Sequence, residues 1–388
     1  MYNVLTLNKI SKVGLEKLPA DIYSVSDDTK NPDAILLRSF KMHDMELPKS
    51  LLAVARCGAG VNNIPLDKCA ENGVVVFNTP GANANAVKEL VLTALLISSR
   101  KIIDSYNWAQ ALNGTEGIAA AVEKGKSQFA GPEITGKTLG IVGLGAIGVL
   151  VANAASALGM KVIGYDPFLS VNGALKLNDS VIYTTNLDDI YNSSDYITVH
   201  VPLTPETKEM FCKESFAKMK DGVRIINLAR GELVNVDDIK EAITNGKVAK
   251  FVTDFPNENT VGIDGIITLP HLGASTPEAE DNCAAMAASE TRAYLEDGNI
   301  INSVNYPNCV LNKSGKTRVC VLYKNSADAV SEITGVFGGK NITPVNMLSK
   351  SKGDFAYSII DVDADIDESL KNSVESINGV IRVRIINH

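Results

Sequence analysis

Several things are scarce in this chain, and each scarcity excludes a class of function. Lysine and arginine number 37 against 45 aspartates and glutamates, for a formal net charge of −8 over 388 residues. That balance excludes a broad basic surface for nucleic acid or anionic lipid. No uninterrupted apolar run is long enough to span a bilayer. The opening Met1-Tyr-Asn-Val-Leu-Thr-Leu-Asn-Lys9 lacks the basic segment, apolar core and cleavage site of a secretory signal, so a cytoplasmic location is expected. The six cysteines (Cys57, Cys69, Cys212, Cys283, Cys309, Cys320) are scattered with no C-x-x-C pair. Buried thiols are therefore expected, with no disulfide and no metal site. Histidine is rare too: His43, His200, His271 and His388 are the four in the sequence.

What is present is ordinary globular material, 45% hydrophobic and 21% charged, enough for two or three domains. Its strongest signal is Thr138-Leu-Gly-Ile-Val-Gly-Leu-Gly-Ala-Ile-Gly148. The apolar run Leu139–Val142 predicts a buried strand. Gly143, Gly145 and Gly148 follow at the G-x-G-x-x-G spacing of a dinucleotide site. The first glycine makes a tight turn, the second lets backbone approach a pyrophosphate, and the third lets a helix pack closely on the strand. A helix over Val149–Leu158 would offer its N-terminus to phosphate. A second strand, Lys161–Tyr165, ends in Asp166, about 20 residues on, where a ribose partner is expected. By contrast Gly131-Pro-Glu-Ile-Thr-Gly-Lys-Thr138 fits the letters of a phosphate-binding loop, but it follows polar residues and precedes a strand. It is read as a coincidence.

The motif lies mid-chain, so other structure precedes it. Short apolar runs near Asn3, Ala34, Leu52 and Val74 predict a small α/β domain. Glu89–Arg100 predicts a buried helix. Residues 139–270 give a second strand–helix series with parallel strands. Glu278–Leu295 predicts a long helix returning to the first domain, and Asn305–Ser314 reads as a linker. From Lys316 the order strand, helix, strand, strand, helix, strand predicts a ferredoxin-like module.

A dinucleotide enzyme needs a proton carrier and a group to hold substrate. Sites in open parallel sheets lie at the carboxyl ends of strands. That leaves His200, in Thr198-Val-His-Val-Pro202, and His271, in Leu269-Pro-His-Leu-Gly273, both open as the carrier. Arg230 follows the strand Arg224–Leu228 and suits a carboxylate. Glu258 lies in the loop after the strand ending near Thr253.

Together these pieces resemble the D-isomer-specific 2-hydroxyacid dehydrogenases. The resemblance is carried by residues 138–148, Tyr165-Asp-Pro167, His200-Val-Pro-Leu-Thr204, Ile226-Asn-Leu-Ala-Arg-Gly-Glu232, Asp254-Phe-Pro-Asn-Glu258 and Leu269-Pro-His-Leu-Gly-Ala-Ser-Thr276. It implies a catalytic trio: His271 takes the substrate hydroxyl proton, Glu258 orients the imidazole, and Arg230 grips the carboxylate. It extends the cofactor contacts to Ala146, Ile147 and Pro167, to His200, Val201, Pro202 and Thr207, and to Leu228, Ala229 and Arg230. Asp254, His271 and Gly273 complete the set. The implied cofactor is NAD, because the Asp166 carboxylate would repel the extra phosphate of NADP.

Ala34-Ile-Leu-Leu-Arg-Ser39 and Ala55-Arg-Cys-Gly-Ala-Gly-Val-Asn-Asn-Ile64 resemble segments of the members that oxidise 3-phosphoglycerate to 3-phosphohydroxypyruvate, opening L-serine biosynthesis. Substrate contacts are then expected at Arg38, Ser39, Arg56, Gly58, Ala59, Gly60 and Asn62. The tail resembles an ACT regulatory domain, which implies L-serine as an effector, with Asn325 and Asn341 as its contacts. A homodimer or homotetramer is implied as well.

The expected architecture is α/β: a Rossmann-like NAD-binding domain (84–283) inserted in a flavodoxin-like substrate domain (1–83 and 284–312), followed by the ferredoxin-like, ACT-like domain (316–388). Three departures stand out. The acid of the usual Asp-Val-Phe is displaced by one position in Thr253-Asp-Phe255, Lys88-Glu89 replaces a commoner small residue before glutamate, and Ser326-Ala-Asp328 replaces the usual Arg-Pro-Gly of the tail. A different D-2-hydroxy acid as substrate, and a dinucleotide-sensing interaction protein, are the alternative readings.

Overall fold

The four apolar runs become parallel strands, β1 (Tyr2–Leu7), β3 (Ala34–Leu37), β4 (Ala53–Arg56) and β5 (Val75–Phe77), and a fifth, β2 (Tyr23–Ser26), joins them from a segment with no such run. They pair in the order β2-β1-β3-β4-β5, the flavodoxin-like order. All of β3 is buried, which is why it reads as an uninterrupted apolar run rather than an alternating one. The computed structural model describes residues 1–387, and His388 lies outside them. The chain divides into two compact units, Met1–Asn83 with the residues from Pro277 onward, and Ala84–Thr276.

The unit Ala84–Thr276 carries the second sheet. Its strands are β6 (Thr138–Val142), β7 (Lys161–Tyr165), β8 (Ile182–Thr184), β9 (Tyr196–Val199), β10 (Val223–Asn227), β11 (Val248–Thr253) and β12 (Ile266–Thr268). They are ordered β12-β11-β10-β9-β6-β7-β8. The order reverses between β6 and β9, so the glycine-rich turn after β6 lies at the topological switch point. The helix Ala84–Ser99 buries Val87, Val91, Ala94 and Leu95 in one cluster with Val149, Val151 and Ala152 of the helix Ala146–Ala157. The helices Ile102–Ala111 and Ile118–Gly125 bury none of their residues.

In the other unit, β13 (Thr317–Lys324), β14 (Pro344–Lys352), β15 (Phe355–Val362) and β16 (Val380–Asn387) form an antiparallel sheet ordered β14-β15-β13-β16. With the helices Ala329–Gly339 and Glu368–Glu375 this is the ferredoxin-like module. Strand period two divides its sheet cleanly. Val319, Val321 and Tyr323 face the module's own helices, whereas Cys320, Leu322, Tyr357 and Ile359 join Tyr294, Leu295, Ile300 and Tyr306 in the core beneath the first sheet.

Polar groups seal that junction. Arg384 donates to Tyr294 O at 3.0 Å and Leu295 O at 2.9 Å, and its guanidinium lies 4.6 Å from the Tyr294 ring centroid. It thereby satisfies carbonyls near the C-terminal end of the long helix Pro277–Asp297, where a cation is favourable. Arg318 and Asp361, both fully buried, pair through two bonds of 2.7 and 2.8 Å, and Arg318 also donates to Asp297 O at 2.7 Å. Arg382 donates to Leu51 O and to Asn72 O.

Residues 305–314 are not the loose linker that their composition suggests. Asn305 accepts from Val76 N at 2.8 Å and donates to Val74 O at 2.9 Å, imitating a further strand along β5. Tyr306 is fully buried and donates to Ala70 O at 2.7 Å. Proline and asparagine announce a break in regular structure, but an amide side chain can satisfy a sheet edge as a backbone does.

Candidate active site

The glycine-rich turn is built as its spacing demands. Gly143 has φ +97°, and a Cβ there would meet His200 O at 2.7 Å. A Cβ at Gly148 would meet Gly143 O at 1.9 Å. Packing thus requires both residues to be glycine. A Cβ at Gly145 would meet no protein atom within 4 Å. Packing does not explain that glycine, and approach of a dinucleotide to the backbone does. Gly145 is also the N-cap of the helix Ala146–Ala157. Asp166 accepts from Leu144 N at 2.9 Å and Phe168 N at 2.8 Å, so its carboxylate ties the end of β7 to the turn. The residues present fit the dinucleotide.

The two strand-end histidines differ. His200 bonds Thr198 Oγ1 through Nε2 at 3.0 Å, and its Nδ1 is buried without a partner. Burial holds its imidazole down at about 4, so it stays neutral at pH 7. His271 is exposed, with its ring 4.9 Å from that of Phe255. Proton exchange during turnover suits His271 and not His200.

His271 lines a cavity of about 710 Å³ with Gly231, Asn235, Asp254 and Phe255. Arg230, at the end of β10, donates to Ala229 O at 2.6 Å, and its own carbonyl accepts from Asn227 Nδ2 at 2.7 Å. Asp254 is fully buried, its carboxylate short of hydrogen-bond partners and drawing only on nearby backbone amides such as that of Gly273. Burial pushes its carboxyl up, against the pull of the nearby His271 and Arg230 charges. The structure therefore gathers Arg230, His271 and Asp254. Glu258 is exposed in the following loop, and among the described residues no hydrogen bond joins it to His271. The sequence does not reveal the burial of Asp254 or the tilted ring contact of Phe255 with His271; the displaced acid in Thr253-Asp-Phe255 is the one signal that points there.

The other unit presents a second set of loops at the ends of β3 and β4. Arg38 pairs with Glu280 of the long helix at 2.8 Å, both side chains partly exposed. Arg56 Nε donates to Arg38 O at 3.3 Å. A Cβ at Gly58, φ +150°, would meet Arg56 Nη1 at 1.9 Å. Asn8, φ +75°, accepts from the amides of Arg38, Ser39 and Phe40 at 3.3, 3.1 and 2.9 Å. Asn63 donates to Arg38 O and Phe40 O. Asn62 is exposed. In the C-terminal module Asn325 donates to Gly353 O at 3.1 Å, and Asn341, φ +56°, occupies the turn after the helix Ala329–Gly339. Among the described residues no cluster of histidine, cysteine, aspartate or glutamate is arranged to hold a metal, and no helix is long and apolar enough to cross a membrane.

Residues 92–274 match the family described as "D-isomer specific 2-hydroxyacid dehydrogenase, NAD binding domain". The chain belongs to the D-isomer specific 2-hydroxyacid dehydrogenases and carries their NAD-binding domain. It is similar to the D-3-phosphoglycerate dehydrogenase of Bacillus subtilis, 35% identical over 326 residues that cover 79% of this chain and 59% of that one. The chain spans about 60% of the length of the curated relatives it matches. Among solved structures it resembles a glyoxylate reductase from Paecilomyes thermophila, with a TM-score of 0.63 and 26% identity over 78% of this chain and 98% of that one. The NAD-bound 3-phosphoglycerate dehydrogenase of Entamoeba histolytica shares the fold, with a TM-score of 0.61 and 23% identity over 78% of this chain and 98% of the other.

Proposed function

We propose that the chain oxidises 3-phosphoglycerate to 3-phosphohydroxypyruvate with NAD, in the cytoplasm, as the entry to L-serine synthesis. The observation that carries this reading is the paired arginines, Arg38 and Arg56, at neighbouring strand ends beside the Gly58–Gly60 loop. A phosphorylated hydroxy acid has two anionic ends, and two guanidiniums with adjacent loop amides are suited to bind them. NAD, when bound, supplies the hydride acceptor. His271 takes the hydroxyl proton as the substrate C–H bond breaks, and Arg230 holds the carboxylate and steadies the developing carbonyl oxygen. Glu258, in the loop after β11, is the acid that orients His271 in this reading. Asp254 lies beside the same imidazole, within reach of its charge.

In this reading residues 316–388 are an ACT-like module, with L-serine as the effector at Asn325 and Asn341. The assembly is a symmetric homodimer or homotetramer. The helices Ile102–Ala111 and Ile118–Gly125 favour that assembly, since they leave Ile102, Tyr106 and Ile118 at 49, 62 and 45% exposure.

One contact favours a second reading. Glu280 already neutralises Arg38, which suits a hydroxy acid with no phosphate. An NADH-linked assay of 3-phosphoglycerate, D-lactate and D-glycerate, repeated with L-serine, separates the two. Highest kcat/KM on 3-phosphoglycerate supports the first. Preference for an unphosphorylated acid replaces it with the second.

A further inference from the structure

Glu290 lies inside the long helix Pro277–Asp297 at 4% exposure, between fully buried Ala287 and Tyr294. An apolar side chain would suit that position better, since a buried polar group is costly unless it is bonded. Glu290 has one bond: Oε1 accepts from Asn302 Nδ2 at 2.6 Å, while Oε2 has no partner. Asn302 holds φ +58°, a left-handed conformation that glycine favours and asparagine tolerates better than most residues. The Asn302 carbonyl accepts from Asn78 N at 3.4 Å, and Asn78 Nδ2 donates to Ala59 O at 2.6 Å. Thr79 N donates to Gly58 O at 3.2 Å. The carbonyls of residues 58 and 59 are thus drawn toward residues 78 and 79, and that segment is tied through Asn302 to Glu290. The amides of Ala59 and Gly60 have no acceptor among the described residues.

We propose that Glu290 is a positioning residue which, through Asn302 and Asn78, sets the Gly58–Gly60 loop for the anionic end of the substrate. This rests on the reading of that loop as an anion-binding surface. Glu290 touches no reacting atom; it fixes the carbonyl side of the loop so that the amide side stays available. Burial holds its carboxyl up at about 8, so at pH 7 it is mostly a neutral acid and glutamine is its close mimic.

The test compares the full-length wild-type chain with E290Q, E290A and N302G, the last keeping the left-handed backbone while removing the side-chain bond. NADH binding is the control for folding of the Ala84–Thr276 unit. E290A and N302G are expected to raise KM for 3-phosphoglycerate about tenfold with kcat little changed, and E290Q to stay near wild type. Amide exchange in peptides spanning residues 57–62 should quicken in E290A and N302G and not in E290Q. Unchanged KM with unchanged exchange overturns the proposal, as does a kcat loss with KM unaltered. If E290A does not fold, N302G decides. If wild type turns over no 3-phosphoglycerate, the substrate reading fails, and loop exchange alone judges Glu290: faster in N302G upholds it, unaltered exchange overturns it.

Discussion

The two parallel sheets put their working loops at the same place, the carboxyl ends of strands, but they hold those loops differently. In the seven-stranded sheet the holding contacts lie in the turns themselves and the strand ends beside them. Gly143 N donates to Tyr165 O at 2.8 Å, His200 N donates to Val142 O at 2.7 Å, and Asp166 and Asn227 bond the backbone of adjoining turns. In the five-stranded sheet buried or turned asparagines hold the loops: Asn8 collects three amides, Asn63 two carbonyls, and Asn78 and Asn302 lead back to Glu290. A loop held by such local contacts tolerates changes in the other side chains it presents. A loop held by distant side chains is sensitive to residues that never meet substrate.

The contrast breaks most sharply at His271. H271A is expected to lower turnover about 10²–10⁴-fold while NADH binding persists, because it removes the proposed proton carrier from a loop it does not support. NADH fluorescence titration beside steady-state kinetics checks this; equal loss of NADH binding would make His271 a structural residue.

The next effect belongs to the other unit. D361N leaves the buried Arg318 guanidinium without its charge partner and should cost about 3–5 kcal/mol, since removing one member of a buried pair strands the other. A lowered thermal midpoint with intact NADH binding in the Ala84–Thr276 unit would show the damage confined to one unit. An unchanged midpoint would mean that the pair is replaceable.

Glu290 offers a smaller effect with a definite sign. Its folded pKa, about 8, lies above the ordinary carboxyl value. The folded state therefore keeps a proton that the unfolded state releases, and this contribution to stability is full at low pH and declines as pH rises from near 4.5 toward 8. Wild type should lose thermal stability relative to E290Q over that window. Parallel melting curves for the two proteins at pH 5 and pH 8 would deny it.

The smallest expected change is at Glu280. Its pairing with Arg38 is partly exposed, and E280Q should lower KM for a phosphorylated acid about two- to fivefold, without altering that for D-lactate. A rise in KM instead would place Glu280 among the groups that help to bind substrate.

The same contrast explains what could be read from the residues alone. The nucleotide turn was legible because its geometry requires glycine at Gly143 and Gly148, and a steric requirement leaves a fixed spacing in the sequence. Arg230, His200 and His271 were legible as polar residues ending apolar runs. The order of elements from Lys316 gave the ferredoxin-like module. Its docking was hidden, because Arg382 and Arg384 bind carbonyls, and carbonyls carry no sequence signature. Asn8, Asn63, Asn78 and Asn302 were equally hidden. They lie far apart along the chain, and asparagine is ordinary in turns, so each reads as local punctuation until folding brings its distant partner near.

The placement of β16 has a consequence for synthesis. Residues 84–276 are contiguous, so that unit can complete its core as soon as they have left the ribosome. The first sheet cannot. Tyr294, Leu295 and Tyr306 share a core with Cys320, Tyr357 and Ile386, and Arg384 closes the end of the long helix. The strands of the first sheet must therefore wait for β16, with an apolar surface uncovered while the Ala84–Thr276 unit has already taken shape. From the emergence of residue 276 until β16 is made, the nascent chain is a finished nucleotide fold carrying an unfinished partner, and that interval is when chaperones have the most to protect.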